Sequence, residues 1–127
     1  MSCITTFKIN ICALNETEVF EVVDTIGIDA GITDNFLYYG MIKQDTDDLE
    51  YKLYNQLHDT LSIIYPKKEI LKKLLNIYPI SYIVDVKFSD IEEEIRNNTS
   101  FTISEEAKDF MAYLDCYYNF QNGYYEN

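Results

Sequence analysis

The sequence predicts one domain that combines α-helices with a single, mostly antiparallel β-sheet, which is an α+β fold. The chain has 127 residues, close to the usual size of a domain with one hydrophobic core. Several segments alternate apolar and polar residues, as strands with one buried face do. Others repeat apolar residues every three or four positions, as helices with one buried face do. We therefore expect residues 1–127 to form one unit with helices packed on one face of a sheet.

The first strand and first helix are predicted before residue 28. From Ile4 to Ala13 the chain alternates, and one face carries Thr5, Phe7, Ile9, Ile11 and Ala13. Asn15 precedes Glu18 by three residues, which is the spacing of a capping box and predicts a helix start. An apolar stripe follows and ends before Gly27, a residue suited to a C-terminal cap; the stripe is Val19, Val22, Val23 and Ile26. Residues Gly31 to Asn35 are predicted to be a turn.

The second strand and a broken helix are predicted next. Residues Phe36 to Lys43 are apolar and aromatic enough for a strand, and Gly40 within it indicates a bulge or a close backbone approach. Leucine or isoleucine then recurs at helical spacing from Leu49 to Ile64. Pro66 should break this helix, since proline lacks the backbone N–H and clashes with the preceding turn. The helical pattern resumes from Lys67 to Leu75.

The last third predicts a strand, a helix and a final strand. Ile80 to Phe88 alternates clearly, whereas residues 90–98 are polar and are predicted to be a loop or one short helix. Thr102 and Ser104 are alternative N-caps for a helix. Its predicted inner face is Ala107, Phe110, Met111 and Leu114. The closing strand is predicted over Asp115 to Gln121. This order, β-α-β-α-α-β-α-β, favours a ferredoxin-like sandwich or a close variant, with four strands in the sheet.

Negative charge dominates the composition. There are 22 acidic and 10 basic residues, for a net charge of −12. A protein with this charge repels nucleic acid and anionic membranes and attracts basic protein surfaces, although acidity can also serve solubility alone. The start of the chain lacks a signal-peptide pattern and no apolar run has the length of a membrane span, so we expect a cytoplasmic protein, monomeric or weakly dimeric.

The sequence offers no constellation typical of catalysis, so we expect no enzyme, no cofactor and no metal. The three cysteines lack C-x-x-C spacing, and His58 has no partner at ligand spacing and is expected to be exposed. Asp45, Asp47 and Asp48 are closely spaced, as in a calcium loop, but the required Gly and closing Glu are missing, which favours helix capping. The four glycines do not form a phosphate-binding loop.

Part of the chain resembles a bacterial family known as domain of unknown function 4279. The matching segments are 49–61, Tyr65 to Lys68, Ile70 to Leu74, Ile80 to Phe88, Phe101 to Glu106 and Leu114 to Tyr118, with Ile26-Gly27-Ile28 similar to an early turn of the family. The resemblance implies an α+β sandwich. Some members look like immunity proteins, which neutralise secreted bacterial toxins, and no residue-level site is implied.

Charge and resemblance together predict an acidic immunity or inhibitor protein that masks a basic toxin, with a nuclease domain as the expected target. A nucleic-acid mimic of the phage type that blocks a host defence nuclease, or a housekeeping ligand-sensing module, are the alternatives. Acidic residues outside the apolar stripes are the candidate contacts, with Tyr38 or Tyr39 and Tyr117 as anchors. The acids are Glu16, Glu21, Asp29, Asp34, Asp45, Asp47, Asp48, Glu92, Glu93 and Glu94.

Overall fold

The computed structural model describes residues 2–45, 57–89 and 104–122. Five strands form one open sheet in the order β2-β3-β1-β4-β5. They are β1 (Ser2–Asn10), β2 (Gly31–Ile32), β3 (Phe36–Asp45), β4 (Ser81–Ser89) and β5 (Tyr117–Asn122). The central strand β1 runs antiparallel to both β3 and β4, whereas β5 runs parallel to β4. The α+β prediction is therefore confirmed.

Helical segments connect these strands within the described ranges. They are α1 (Glu16–Ile26), α2 (residues 57–62), a 3-10 turn (Tyr65–Lys67), α3 (Lys68–Ile77) and α4 (Glu105–Tyr113). None of the helices in these ranges is long and apolar enough to cross a bilayer.

The first helix begins and ends where the sequence predicts. The Asn15 side chain accepts from the Glu18 backbone N–H at 2.9 Å, and the Glu18 carboxylate accepts from the Asn15 N–H at 3.0 Å. This reciprocal pair satisfies two N–H groups that a helix start would leave unbonded. Gly27 closes the helix in the left-handed conformation, with φ of 74°, which an L side chain rarely adopts.

The helices pack on one face of the sheet around a single core. From the sheet, Phe7, Ile9, Leu37, Tyr82, Val84 and Val86 are buried toward the helices. From the helices, the buried side chains are Val22, Ile26, Leu57, Leu61, Leu71, Leu74, Ala107, Phe110, Met111 and Leu114. The alternate apolar residues of each strand thus lie on one face of the sheet, as the sequence pattern predicts.

The structure corrects the predicted four strands to five, and it shows that one of the four strand pairings is parallel. The short strand β2 lies within the predicted turn Gly31 to Asn35, where Ile32 pairs with Leu37. Two residues carry too little periodicity to reveal a strand. The sheet is also mixed, because β5 pairs in parallel with β4. The 27 residues between Ser89 and Tyr117 are long enough for the crossover that parallel neighbours require.

Strand boundaries also move relative to the prediction. β1 ends at Asn10, and Ala13 is exposed because the chain turns there, with the Leu14 N–H donating to the Ile11 carbonyl at 3.0 Å. β5 begins at Tyr117 because Asp115 has a φ of 52°, which no strand residue adopts.

Three local predictions are confirmed. Gly40 and Met41 stand together opposite Thr6 between two regular pairs, which is a β-bulge at the predicted glycine. Pro66 lies in the 3-10 turn that separates α2 from α3. Ser104 is the N-cap of α4. Thr102, residues 46–56, where most of the predicted long helix falls, and residues 90–98, predicted to be a loop or one short helix, lie outside the described residues.

Candidate protein-binding surface

One stretch of the described structure is acidic and contains no basic residue of its own. Residues 9–39 contain six acids and no lysine, arginine or histidine. These acids are Glu16, Glu18, Glu21, Asp24, Asp29 and Asp34, and all except the half-buried capping residue Glu18 are exposed. Four lie on α1 and the other two lie on either side of β2. The five exposed carboxylates give this stretch an excess of negative charge toward solvent.

A groove with an apolar floor lies within this acidic region, between α1 and the edge strand β2. We call it the α1–β2 groove; its volume is about 390 Å³ and it is lined by Ile11, Cys12, Leu14, Glu16, Val19, Phe20, Ile32, Thr33 and Asp34. Phe20 and Ile32 are each 53% exposed, which is high for large apolar side chains. Glu16 and Asp34 contribute the acidic groups of the groove.

Local structure explains why Phe20 and Ile32 are left on the surface. The buried stripe of α1 contains Val22 and Ile26, and Phe20 lies two residues before Val22, which turns it about 200° away around the helix. Ile32 pairs with the buried Leu37, so it lies on the helical side of the sheet. As β2 is the edge strand, no further strand shields Ile32 on its outer side within the described residues.

The loop that carries Asp34 is held by hydrogen bonds. The Thr33 N–H donates to the Phe36 carbonyl at 2.8 Å, and the Phe36 N–H donates to the Thr33 hydroxyl at 3.1 Å. The loop is also bonded to the residue that follows β1, since the Ile11 N–H donates to the Asn35 carbonyl at 2.9 Å. These bonds fix the loop against the end of β1, so Asp34 is presented from a constrained backbone.

Basic residues are concentrated at α3, and one of them reaches the end of α1, since a Cβ atom on Gly27 would lie 3.9 Å from the Lys67 ammonium. Four lysines, Lys67, Lys68, Lys72 and Lys73, fall in or next to α3. The Lys72 ammonium lies 5.1 Å from the ring centre of Tyr113 on α4 and donates to the Tyr113 carbonyl at 2.8 Å. A second depression of about 600 Å³ between these elements is lined by Tyr65, Lys68, Glu106, Asp109, Phe110 and Tyr113, so its charges are mixed.

The sheet face opposite the helices carries a polar cluster. The Lys8 ammonium lies 2.8 Å from a carboxylate oxygen of Asp85, and the Asn119 amide donates to the other oxygen at 3.1 Å. The Asp85 side chain is only 11% exposed, whereas that of Lys8 is 31% exposed. Tyr38 lies on the same face beside Gly31, where even a Cβ atom would come within 2.2 Å of the Tyr38 ring. This cluster joins β1, β4 and β5 across the sheet.

Replacing Lys8 by Met should destabilise the fold more than replacing both Lys8 and Asp85 by apolar residues. The single change removes the Lys8 ammonium from a nearly buried carboxylate, which should cost about 1–3 kcal/mol, between the values for surface and buried pairs. The double variant Lys8→Met, Asp85→Leu removes that cost. Urea unfolding of Lys8→Met, of Asp85→Leu and of the double variant gives the coupling free energy between the two side chains. Additive losses of stability would show that the pair is not coupled.

The predicted contact residues divide into three groups. Glu16 and Asp34 are brought together in the α1–β2 groove, while Glu21 and Asp29 are exposed elsewhere in the acidic region. Glu21 also accepts a hydrogen bond from the Tyr78 hydroxyl, and this bond raises the Tyr78 pKa. The side chain of Asp45, and all of Asp47, Asp48, Glu92, Glu93 and Glu94, lie outside the described residues.

The predicted aromatic anchors do not form one surface. Tyr39 is 2% exposed and belongs to the core, so of the two alternatives only Tyr38 has a surface position, on the face opposite the helices. Tyr117 is 67% exposed, but it lies on β5, at the opposite edge of the sheet from β2. Neither tyrosine lines the α1–β2 groove. The alternation of β3 points Tyr39 inward, which leaves Tyr38 as the member of the pair at the surface.

Sequence reasoning missed the apolar part of the groove. Phe20 carried a usable signal, since it is a large aromatic residue outside the stripe that α1 buries. Ile32 carried no such signal, because the sequence predicts a turn at this position. The predicted exposure of His58 is confirmed.

Potential metal ligands are also dispersed. Within residues 2–45, 57–89 and 104–122, no three His, Cys, Asp or Glu side chains converge as metal ligands would. The Cys116 thiol is half-buried, and its burial together with the neighbouring Asp115 charge raises its pKa to about 12.

Comparisons of the chain with models of protein families, with curated proteins and with solved structures find no match. The resemblance to the family of unknown function therefore stays a prediction, and the case for function depends on the geometry and charge of the described surface.

Proposed function

We propose that this protein is a cytoplasmic inhibitor of the immunity type, which binds a basic toxin and neutralises it by masking its active site. One observation carries the proposal: six acids and no base lie in residues 9–39, and five of those acids are exposed. Solubility alone does not require a stretch with charges of one sign, since surfaces with interspersed charges also keep proteins soluble.

A nuclease domain is the target that this charge fits best. An enzyme that cleaves nucleic acid must hold phosphates, so its active-site cleft is cationic. An acidic protein surface is drawn to such a cleft over a distance, which accelerates association by about 10- to 1000-fold at low salt. Once bound, it occupies the space that the phosphate backbone needs, and catalysis stops without any reaction by the inhibitor.

Capture and inhibition assays test this proposal together. Catalytically inactive variants of basic bacterial nuclease toxins, including any encoded beside this gene, are immobilised and the purified chain is passed over them at about 50 mM and about 500 mM NaCl. We expect one target to retain the protein, with association slowed at least about 10-fold at the higher salt. The active form of that target should lose activity when the chain is added in equal amount.

Two results would contradict the proposal. One is that no basic target is retained at the lower salt, and the other is that a retained target keeps its full activity. A phage-type mimic of nucleic acid would give the same binding with a host defence nuclease as the target, so that nuclease class belongs in the panel. The ligand-sensing alternative predicts instead that small metabolites raise the melting temperature while no basic protein is retained.

A further inference from the structure

We propose that the α1–β2 groove is the docking site, and that it takes a partner segment with one apolar side chain flanked by lysine or arginine. This inference rests on the proposed function, because it names the surface and the chemistry of recognition for the same binding event. It depends on two independent properties of the groove, its exposed apolar residues and its acidic rim.

The groove brings together two of the exposed large apolar side chains. Six large apolar side chains are exposed among the described residues: Phe20, Ile32, Ile63, Ile77, Tyr113 and Tyr117. Phe20 and Ile32 line one groove, although they come from a helix and a strand that are separate in sequence. Interfaces depend on a few apolar anchors that become fully desolvated on binding, and a groove walled by two such residues can take one anchor from the partner.

The acidic rim favours basic residues on either side of the partner's anchor. Glu16 and Asp34 flank the apolar floor from α1 and from the loop after β2. A cationic side chain on each side of the partner's anchor would meet these carboxylates. The two carboxylates should contribute unequally to binding. Glu16 lies in the first turn of α1, where the positive end of the helix dipole weakens its attraction for a cation. Asp34 lies in a loop and lacks this compensation.

Other surfaces fit a basic partner less well. The cluster on the opposite sheet face already pairs Asp85 with Lys8, and in the depression beside α4 the acids Glu106 and Asp109 are accompanied by Lys68. A second copy of this chain fits poorly too, because a two-fold dimer through the groove would place the same carboxylates against each other. A basic segment of another protein is the occupant that satisfies both properties.

The experiment measures dissociation constants with the nuclease domain retained in the capture assay. The groove variants are Phe20→Ala, Ile32→Ala, Glu16→Gln and Asp34→Asn. The matched controls are Ile77→Ala, which truncates an apolar side chain that is 66% exposed on α3, and Glu105→Gln, which neutralises a side chain that is 84% exposed on α4. All these side chains are exposed, so circular dichroism and urea midpoints should match the unmodified protein.

We expect Phe20→Ala to weaken binding by about 30-fold or more, as truncation of an anchor residue does. Asp34→Asn should weaken it more than Glu16→Gln, by about 5-fold against about 2-fold, and should flatten the salt dependence. Each control should change the dissociation constant less than about 2-fold.

Two short peptides add a test that does not depend on the nuclease. One is Lys-Lys-Leu-Lys-Lys and the other is Lys-Lys-Ser-Lys-Lys, with blocked ends and equal charge. Nuclear magnetic resonance should show larger shifts at Phe20 and Ile32 with the leucine peptide. Equal effects of both peptides, or shifts centred outside the groove, would contradict the inference.

The outcomes separate the inference from the proposed function. If the nuclease is retained and the groove variants bind as tightly as the controls, the docking site is elsewhere, and the proposed function stands. If no basic target is retained by the unmodified protein, the proposed function itself is wrong.

Discussion

Replacing Phe7 by Ala is expected to lower the free energy of unfolding by about 3–5 kcal/mol, because the change leaves a cavity in the centre of the core. Phe7 is completely buried on the central strand β1. Its ring lies 5.5 Å from that of Tyr82 on β4 and 6.0 Å from that of Phe110 on α4, measured between centres. It therefore connects two strands to a helix. Since domains are stable by only about 5–15 kcal/mol, the variant should be close to unfolding.

Phe20→Ala is the matched control for this change. It removes the same atoms from a side chain that is 53% exposed, so the urea midpoint should shift little. The two phenylalanines should thus have opposite roles, Phe7 in stability and Phe20 in binding. Equal losses of stability would mean that Phe20 is buried in solution, which would also contradict the docking surface. Urea titration followed by circular dichroism measures both variants.

The second large effect is expected at alkaline pH. Burial raises the pKa of Tyr39 to about 12 and also raises that of Tyr82, while burial and the Asp115 charge raise the pKa of Cys116 to about 12. In the unfolded chain these groups lose their protons at ordinary values, near 9 for the thiol and 10 for the hydroxyls. Between those values and 12, the native state holds more protons than the unfolded state.

This difference in bound protons determines whether stability rises or falls with pH. Stability falls as pH rises wherever the native state binds more protons, so these groups contribute fully below about pH 9 and lose their contribution progressively toward pH 12. We expect the urea midpoint to be steady between about pH 7 and pH 8.5 and to fall steeply above about pH 10. Urea titrations at a series of pH values measure the effect.

Tyr39→Phe provides a control for the alkaline effect. The Tyr39 hydroxyl is buried and has no hydrogen-bond partner among the described residues, so its removal should not reduce stability at neutral pH. The variant should also lose less stability than the unmodified protein between about pH 9 and pH 12. A pH profile identical to that of the unmodified protein would show that Tyr39 does not contribute. Tyr82 is less suitable, because its hydroxyl donates to the Leu71 carbonyl at 2.6 Å.

The rigid core and the proposed docking surface belong to the same elements. β1 contributes Phe7 to the core and leads, through Ile11, into the groove wall. α1 buries Val22 and Ile26 and exposes Phe20 on another side. Stable packing of one side therefore holds the other side in place, which lowers the entropy that the groove residues lose on binding.

Local patterns in the sequence predicted most of the elements but a smaller part of the site. The alternation around Phe7 and Tyr82 and the capping box at Asn15 agree with the structure, because each depends on neighbours only a few residues away. Glu16 and Asp34 could be proposed as exposed acids for the same reason. Their meeting with Phe20 and Ile32 could not, because it depends on where α1 packs beside the edge strand.

The sequence by itself determined the α+β class, the bounds of α1, the break at Pro66 and the position of an irregularity at Gly40, since propensity, capping and periodicity act over short distances along the chain. Only the tertiary structure decided the strand order, the parallel pairing of β4 with β5, the burial of Tyr39 rather than Tyr38, and the groove between α1 and β2. These features depend on which surfaces meet after the chain has folded back on itself, and no short stretch of sequence contains that information.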